Sequence, residues 1–257
     1  MGFYTLGLDT SAQQGSIALL GYEELLGTRA WEADGKHAER ALTEIGLLLG
    51  DAGLTAANID LLVVGLGPGS FTGVRIGLAT MKGLALARST PLVGVPSSEV
   101  VAIGAMEAMR PSLGPGVPKK SGPGQPALVA VITNAFKGEV FGSLYQVRRE
   151  GIERLLEPTH GLPDAVAELL RDHAQGGDML VVGNGVARYP DAFRDLGDRL
   201  PEHLDNPNAA WLVRAGLAKF ERTKVNELHG LEPLYVRGAD AELPAKPLRI
   251  EPGGTPE

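Results

Sequence analysis

The sequence contains no cysteine, so disulfide frameworks, thiolate nucleophiles and Cys-ligated metal sites are all ruled out. It also lacks any apolar run approaching the roughly 18 residues that a membrane-spanning helix needs. No leader-like segment opens the chain: Met1 runs straight into the strand-like FYTLGLD. A cytoplasmic protein with no membrane partner is therefore expected. Basic residues are outnumbered, 24 against 31 acidic, which leaves a formal net charge of -7. That balance argues against a surface that coats nucleic acid, although RNA contact through a local patch or a partner stays open. The histidines at 37, 160, 173, 203 and 229 form no H-x-x-x-H or H-E-x-x-H pair, so a helix-borne zinc or iron site is not expected. No G-x-S-x-G elbow is present, and Ser70 has no acid–base partners near it in sequence.

What is present is an ordinary folded composition, 44% apolar and 21% charged over 257 residues, enough for one large domain or two lobes. The chain is organised around Asp60 to Ser89. Leu61 to Val64 reads as a buried strand, and Gly65, Gly67, Pro68 and Gly69 form a tight turn. From Ser70 to about Arg88 the pattern is helical. A strand, a Gly-rich turn and a helix together place free backbone N–H groups where an anion can dock. Neither nucleotide fingerprint fits, however. Val74 and Arg75 follow Gly73 where a Walker A loop needs Lys, and the glycine spacing is not G-x-G-x-x-G. The helix carries small residues four apart at Gly73 and Gly77, Ala79 and Gly83, and Gly83 and Ala87. Interior glycines cost a helix roughly 1 kcal/mol each against alanine. Such a bare face serves either close packing on the helix's own sheet or docking of a partner protein.

Around this centre two similar halves are expected. Strands at Phe3–Leu8, Gly15–Leu20 and Glu24–Trp31 precede a helix from Lys36 to Leu49, with Ala38, Leu42, Ile45 and Leu49 on one stripe. Leu92–Val95 is a strand, and a helix follows to about Met109, capped by Ser97 or Ser98. PSLGPGVPKKSGPGQP then marks a linker. Beyond it, strands at Ala127–Thr133, Glu139–Val147 and Ile152–Glu157, a helix at Pro163–His173 and MLVVGNG at Met179–Gly185 repeat the first order of elements. The expected division is a first lobe over 1–110, a linker over 111–126 and a second lobe over 127–206. A helix and extended segment over 207–237 pack back on the first lobe, and 238–257 is a loose tail. Asp9 closes the first strand, where an acid can place a metal–nucleotide or merely cap a turn. Its counterpart Asn134 is a neutral amide and serves as neither base nor anionic ligand.

The run Gly67–Gly77, GPGSFTGVRIG, is similar over eleven consecutive residues to the signature of the TsaB (YeaZ) family. Supporting similarities lie at LGLDTS (Leu6–Ser11), the His37 helix, KGEVF (Lys137–Phe141), VGNG (Val182–Gly185) and PLYVR (Pro233–Arg237). The resemblance implies an α/β, duplicated, two-lobed fold of the actin/Hsp70/sugar-kinase type. It also implies a non-catalytic subunit that pairs with a TsaD-type catalytic partner and a TsaE-type ATPase. Together these put a threonylcarbamoyl group on N6 of adenosine 37 in tRNAs that read ANN codons. Contact with tRNA would be indirect, and the chain alone would form homodimers. Mapped here, the partner surface would comprise Ala38, Leu42, Ile45, Gly73, Gly77, Thr80, Gly83 and Ala87. Residues near a nucleotide would be Asp9, Thr10, Ser11, Gly67, Gly69, Ser70, Thr72 and Arg75. No metal and no tightly bound cofactor is expected, only ADP or ATP at the heterodimer junction. One departure stands out: where the family pattern reads D-A-R-x-G-E-V, this chain has Asn134 and Phe136. Two rival readings are a self-sufficient phosphotransferase built on Asp9 and the Gly67–Thr72 turn, and a glycoprotease-like metallopeptidase.

Overall fold

The alternating turns and β-branched runs of each half produce the same sheet twice in the computed structural model, which describes residues 2–32, 37–108, 127–148 and 151–236. β1 (Tyr4–Asp9), β2 (Gln14–Gly21) and β3 (Glu24–Glu32) form an antiparallel meander, followed by α1 (His37–Asp51). β4 (Leu61–Gly65) then pairs parallel to β1, with Leu6 opposite Leu62 and Leu8 opposite Val64. α2 (Phe71–Arg88) crosses over to β5 (Leu92–Val95), and α3 (Ser97–Ala108) follows. The second half repeats this as β6 (Ala127–Phe136), β7 (Glu139–Arg148), β8 (Gly151–Gly161), α4 (Pro163–Ala174) and β9 (Met179–Val182). α5 (Asn184–Arg188), α6 (Pro190–Phe193), β10 (Asp198–Arg199) and finally α7 (Ala209–Thr223) complete the order. The sheets run β3-β2-β1-β4-β5 and β8-β7-β6-β9-β10, so the chain has the duplicated, two-lobed α/β fold of the actin/Hsp70/sugar-kinase type.

Strand alternation explains the layering. In β4, Leu62 and Val64 face one way and pack with Leu6, Leu8, Ile17 and Leu19 under α1 and α2, which contribute Ala41, Ile45, Leu48, Leu78 and Met81. Leu61 and Val63 face the other way, onto Val93, Val100 and Leu212. A strand buried on both faces needs apolar residues at every position, and LLVVG has them. α7 lies on that second face, with Val213 packed on Ala18 and Leu20. α3 covers the second sheet through Val101, Ala102 and Ala105 against Val129, Val131 and Tyr145. The helices α3 and α7 thus sit between the sheets, while α4 closes the outer face of the second through Val166 and Leu170.

Three differences from the sequence reading have local causes. The helix after β9, which should match the 18 residues of α2, is broken into segments of five and four. Pro190 pushes Tyr189 out of helical geometry, to φ -131° and ψ 60°. Ser97 and Ser98 begin α3 rather than cap it, because their hydroxyls are used at longer range. Ser97 donates to Asp9 Oδ2 at 2.6 Å, and Ser98 meets the Tyr145 hydroxyl at 2.8 Å across the lobes. Tyr145 is wholly buried, and burial pushes its phenol above the usual tyrosine range. The segment expected as extended over Glu232–Arg237 forms no ladder strand over its described residues, 232–236; Leu234 N–H donates to Leu66 O at 2.9 Å instead. The linker over 111–126 and the tail over 238–257 lie outside the described residues.

The open edge of β5 is closed by side chains and by Glu227 N–H, which donates to Leu92 O at 2.9 Å, rather than by another strand. Leu92 N–H donates to Asn226 Oδ1, and Gly94 N–H to Glu227 Oε2. Lys219 Nζ completes the set on Gly94 O at 2.8 Å and Glu227 Oε2 at 2.9 Å. An unpaired edge is a template for aggregation, and this segment removes it.

Glu99, on α3, is held above the usual glutamate range. Burial is the larger cause, and Arg154, Lys219 and Arg222 oppose it. A carboxyl whose folded pKa is raised destabilises the fold once it ionises, so the penalty is complete above the folded pKa and vanishes below the unfolded one. Glu99→Gln is therefore expected to raise Tm at about pH 8, with the gain fading by about pH 4. Calorimetric melts across that range check it; a gain that grows toward acid would contradict the assignment.

Candidate functional site

Asp9 sits where β1 meets the loop to β2 and is 1% exposed. Its Oδ1 accepts from Ser11 N–H at 2.8 Å and from the Ser11 hydroxyl at 2.7 Å, and its Oδ2 accepts from Ser97. Ser97 Oγ in turn accepts from Gly67 N–H at 3.0 Å. One carboxyl thus ties the end of β1 to the start of α3 and to the Gly-rich turn. Gly65 is required beside it, since a Cβ there would lie 1.9 Å from Asp9 Oδ2. In the second lobe Asn134 makes the matching turn, with Oδ1 accepting from Phe136 N–H at 3.0 Å. At both strand ends the polar side chain closes its own loop.

The turn at Gly67–Thr72 is similarly occupied. Gly67 N–H is bonded to Ser97, Ser70 N–H to Ser11 O at 2.7 Å, and Gly73 N–H to Ser70 Oγ at 3.2 Å. Three of the amides that could grip a phosphate, those of Gly67, Ser70 and Gly73, are thus already bonded. Gly69 packs directly on Ser11, where a Cβ would come within 2.2 Å of its carbonyl. Among the residues expected near a nucleotide, Ser11 and Ser70 reach the cleft between the lobes. Asp9 and Thr10 are buried beneath it. Thr72 is exposed, and Arg75 turns toward Tyr235 instead, donating from Nε to its hydroxyl at 3.0 Å.

The cleft itself has a volume of about 520 Å³. Ser11, Ala12, Gln13 and Ser70 line it from the first lobe, and Thr133, Asn134, Phe136, Asn184, Ala187 and Arg188 from the second. Among the described residues that line it, Arg188 is the one with an ionisable side chain. Asn184 joins the loops by accepting from Asn134 N–H at 2.8 Å and donating to Asn206 at 3.2 Å. Phe136 stands 46% exposed at the rim with φ 62°, a left-handed conformation unusual for an aromatic residue. No cluster of three His, Cys, Asp or Glu side chains suited to a metal occurs among the described residues.

The small residues of α2 divide between two surfaces. Thr10 Oγ1 donates to Gly73 O at 2.7 Å, and Cβ atoms on Gly73 and Gly77 would lie 2.1 Å from Thr10 O and 2.4 Å from Thr10 Oγ1. Both glycines are therefore core-packing positions, not partner-facing ones as expected. Ile45 is likewise only 4% exposed, within the core beneath α1. Gly83 is open, with nothing within 4 Å of the place a Cβ would take, and Ala87 is exposed beside it, with Thr80 half-buried. On α1, Leu42 is 55% exposed; the side chain of Ala38 lies outside the described residues.

A family model described as TsaD, tRNA N6-adenosine threonylcarbamoyltransferase, matches residues 27–244. The chain is 29% identical over 245 residues to the tRNA threonylcarbamoyladenosine biosynthesis protein TsaB of Escherichia coli, covering 94% of this chain and 98% of that one. It is 27% identical to the TsaB of Bacillus subtilis, over 92% and 95% of the two chains. The chain belongs to the TsaD-type family, on its TsaB (YeaZ) branch. A crystal structure of a Pseudomonas aeruginosa protein with similarity to the peptidase YeaZ superposes with a TM-score of 0.74 at 26% identity, over 91% of this chain and all of that one.

In this TsaB-family chain the outer faces of α1 and α2 form an apolar surface that the sequence reading located only in part. Leu47 at 47% and Leu86 at 64% exposure join Leu42, and Gly46 and Gly50 on α1 are as open as Gly83 on α2. Their i, i+4 spacing was legible in GLLLG. Their outward direction follows from Ala41, Ile45, Leu48 and Leu49 filling the core side.

Proposed function

We propose that this chain takes part in tRNA threonylcarbamoyladenosine biosynthesis as a non-catalytic scaffold. It docks on a TsaD-type catalytic subunit and activates N6-threonylcarbamoylation of adenosine 37 in ANN-decoding tRNAs, with a TsaE-type ATPase acting on the same assembly. The observation that carries this reading is the outer face of α1 and α2, where exposed leucines flank glycines with open space above them. Large apolar side chains left exposed beside open glycines suit an interaction site, because missing side chains let a second backbone approach closely. The same face supports self-association when the partner is absent. The internal bonding of Asp9 fits a role in shaping the lobe rather than in chemistry. ADP or ATP belongs in this reading only at the junction of the subunits, because the Gly67, Ser70 and Gly73 amides of the turn are engaged within this chain, and no step is derived through it.

Reconstitution tests the proposal. Threonylcarbamoylation of tRNA by the TsaD-type and TsaE-type proteins is measured with and without this chain. Activity is expected to depend on it, by about tenfold or more. Equal rates without it would end the scaffold reading, and so would ATP turnover by the isolated chain with a substrate of its own.

A further inference from the structure

Arg75 is held in an unusual way for an exposed arginine. Its guanidinium carbon lies 3.7 Å from the centroid of the Phe71 ring, one turn earlier on α2, and 5.5 Å from that of Tyr235. The two rings are 5.8 Å apart and each residue is 51% exposed. Nε is bonded to the Tyr235 hydroxyl. Tyr235 is itself placed by the segment after α7: Leu231 O accepts from Lys82 Nζ at 2.7 Å, and Leu234 N–H is bonded to Leu66 O. Arg29, Arg154, Arg194 and Arg199 each meet a carboxylate, whereas no described carboxylate pairs with Arg75. A stacked, tethered guanidinium whose Nε is engaged presents its other two nitrogens as a fixed fork, matched to an oxyanion.

Position along the helix says which oxyanion. Thr72, Arg75, Ala79, Gly83 and Leu86 are spaced three or four apart, are all exposed, and so form one stripe. The fork stands near the N-terminal end of this exposed α2 stripe, with half-exposed aromatic rings beside it. Arginine among aromatics is the composition of protein-interface anchor points. An RNA phosphate would call for several cations, and the chain's net charge is -7.

We infer that Arg75 is the anchoring cation of the docking surface and receives an Asp or Glu carboxylate of the TsaD-type subunit. This rests on the docking proposed above. Phe71 and Tyr235 hold the guanidinium in its bound geometry before the partner arrives, which lowers the ordering cost of association.

The test is calorimetric titration of the full-length chain with the TsaD-type subunit, at low and high salt, for wild type, Arg75→Gln, Arg75→Lys, Tyr235→Phe and Gly83→Arg. Melting of each variant confirms folding. Arg75→Gln is expected to weaken binding about 10- to 100-fold and to flatten its salt dependence. Arg75→Lys keeps the charge but not the fork and falls between the two. Tyr235→Phe keeps the charge and loses about three- to tenfold through lost pre-organisation. If Gly83→Arg abolishes binding while Arg75→Gln stays within about twofold of wild type, the anchor assignment is overturned and the docking surface stands. If neither variant changes binding, the docking reading falls as well. A loss for Arg75→Gln seen only when ADP is present would make the oxyanion a phosphate, which overturns the carboxylate assignment.

Discussion

Gly83→Arg is expected to leave the monomer folded and to abolish co-elution with the TsaD-type subunit, whereas Gly77→Arg is expected not to yield a folded first lobe. The two glycines lie on the same helix, in the same kind of sequence, and differ only in what surrounds them. At Gly83 a Cβ meets nothing within 4 Å, so a side chain adds helix propensity of up to about 1 kcal/mol and projects into solvent. Its bulk is felt only when another backbone must approach. At Gly77 a Cβ would lie 2.4 Å from Thr10 Oγ1, and that hydroxyl is fixed by its bond to Gly73 O. Overpacking costs typically about 1–3 kcal/mol, and a buried unpaired charge adds several more. Size-exclusion chromatography and calorimetry separate these outcomes. Unchanged co-elution of folded Gly83→Arg would sink the docking reading, and a Gly77→Arg variant melting like wild type would contradict the close packing of Gly77 on Thr10.

The second large effect concerns Asp9. Asp9→Ala is expected to lower Tm by roughly 6–12 °C, because about 3 kcal/mol is lost and each kcal/mol is worth about 2–4 °C in a chain of this size. The buried donors Ser11 N–H, Ser11 Oγ and Ser97 Oγ would lose their acceptor together, and Gly67 would lose the placement of the serine it bonds. The sign of the change carries the interpretation. An acid kept for chemistry often stands in a destabilised site, and its removal tends to leave stability unchanged or improved. A melt of Asp9→Ala at or above the wild-type Tm would therefore revive the phosphotransferase reading.

Much of the fold was legible because local pattern decided it. The apolar character of β1 and β2, the apolar run of β4, the α1 stripe and the repeated order of elements all report burial directly in residue type. Interruption of the second-lobe helix at Pro190 was equally local, though only the comparison of α5 and α6 with α2 makes it visible as a difference between lobes. The closing of the β5 edge by Lys219, Asn226 and Glu227 was not legible, because polar residues 125 to 134 positions away from their partners give no sign of what they will bond. Nor was the Arg75 clamp, whose third member Tyr235 lies 160 residues away in sequence.

The sequence by itself determined the duplicated α/β order, the family signature at Gly67–Gly77, and the presence of small residues four apart along α2. Only the tertiary structure decided what those small residues face. From Gly77 to Gly83 the helix turns by about 240°, so the two sets cannot share one surface. Spacing alone leaves open which set is inside. Thr10 settles it: by filling the space beside Gly73 and Gly77 it places them in the core, and rotation of the helix then leaves Gly83 and Ala87 outside.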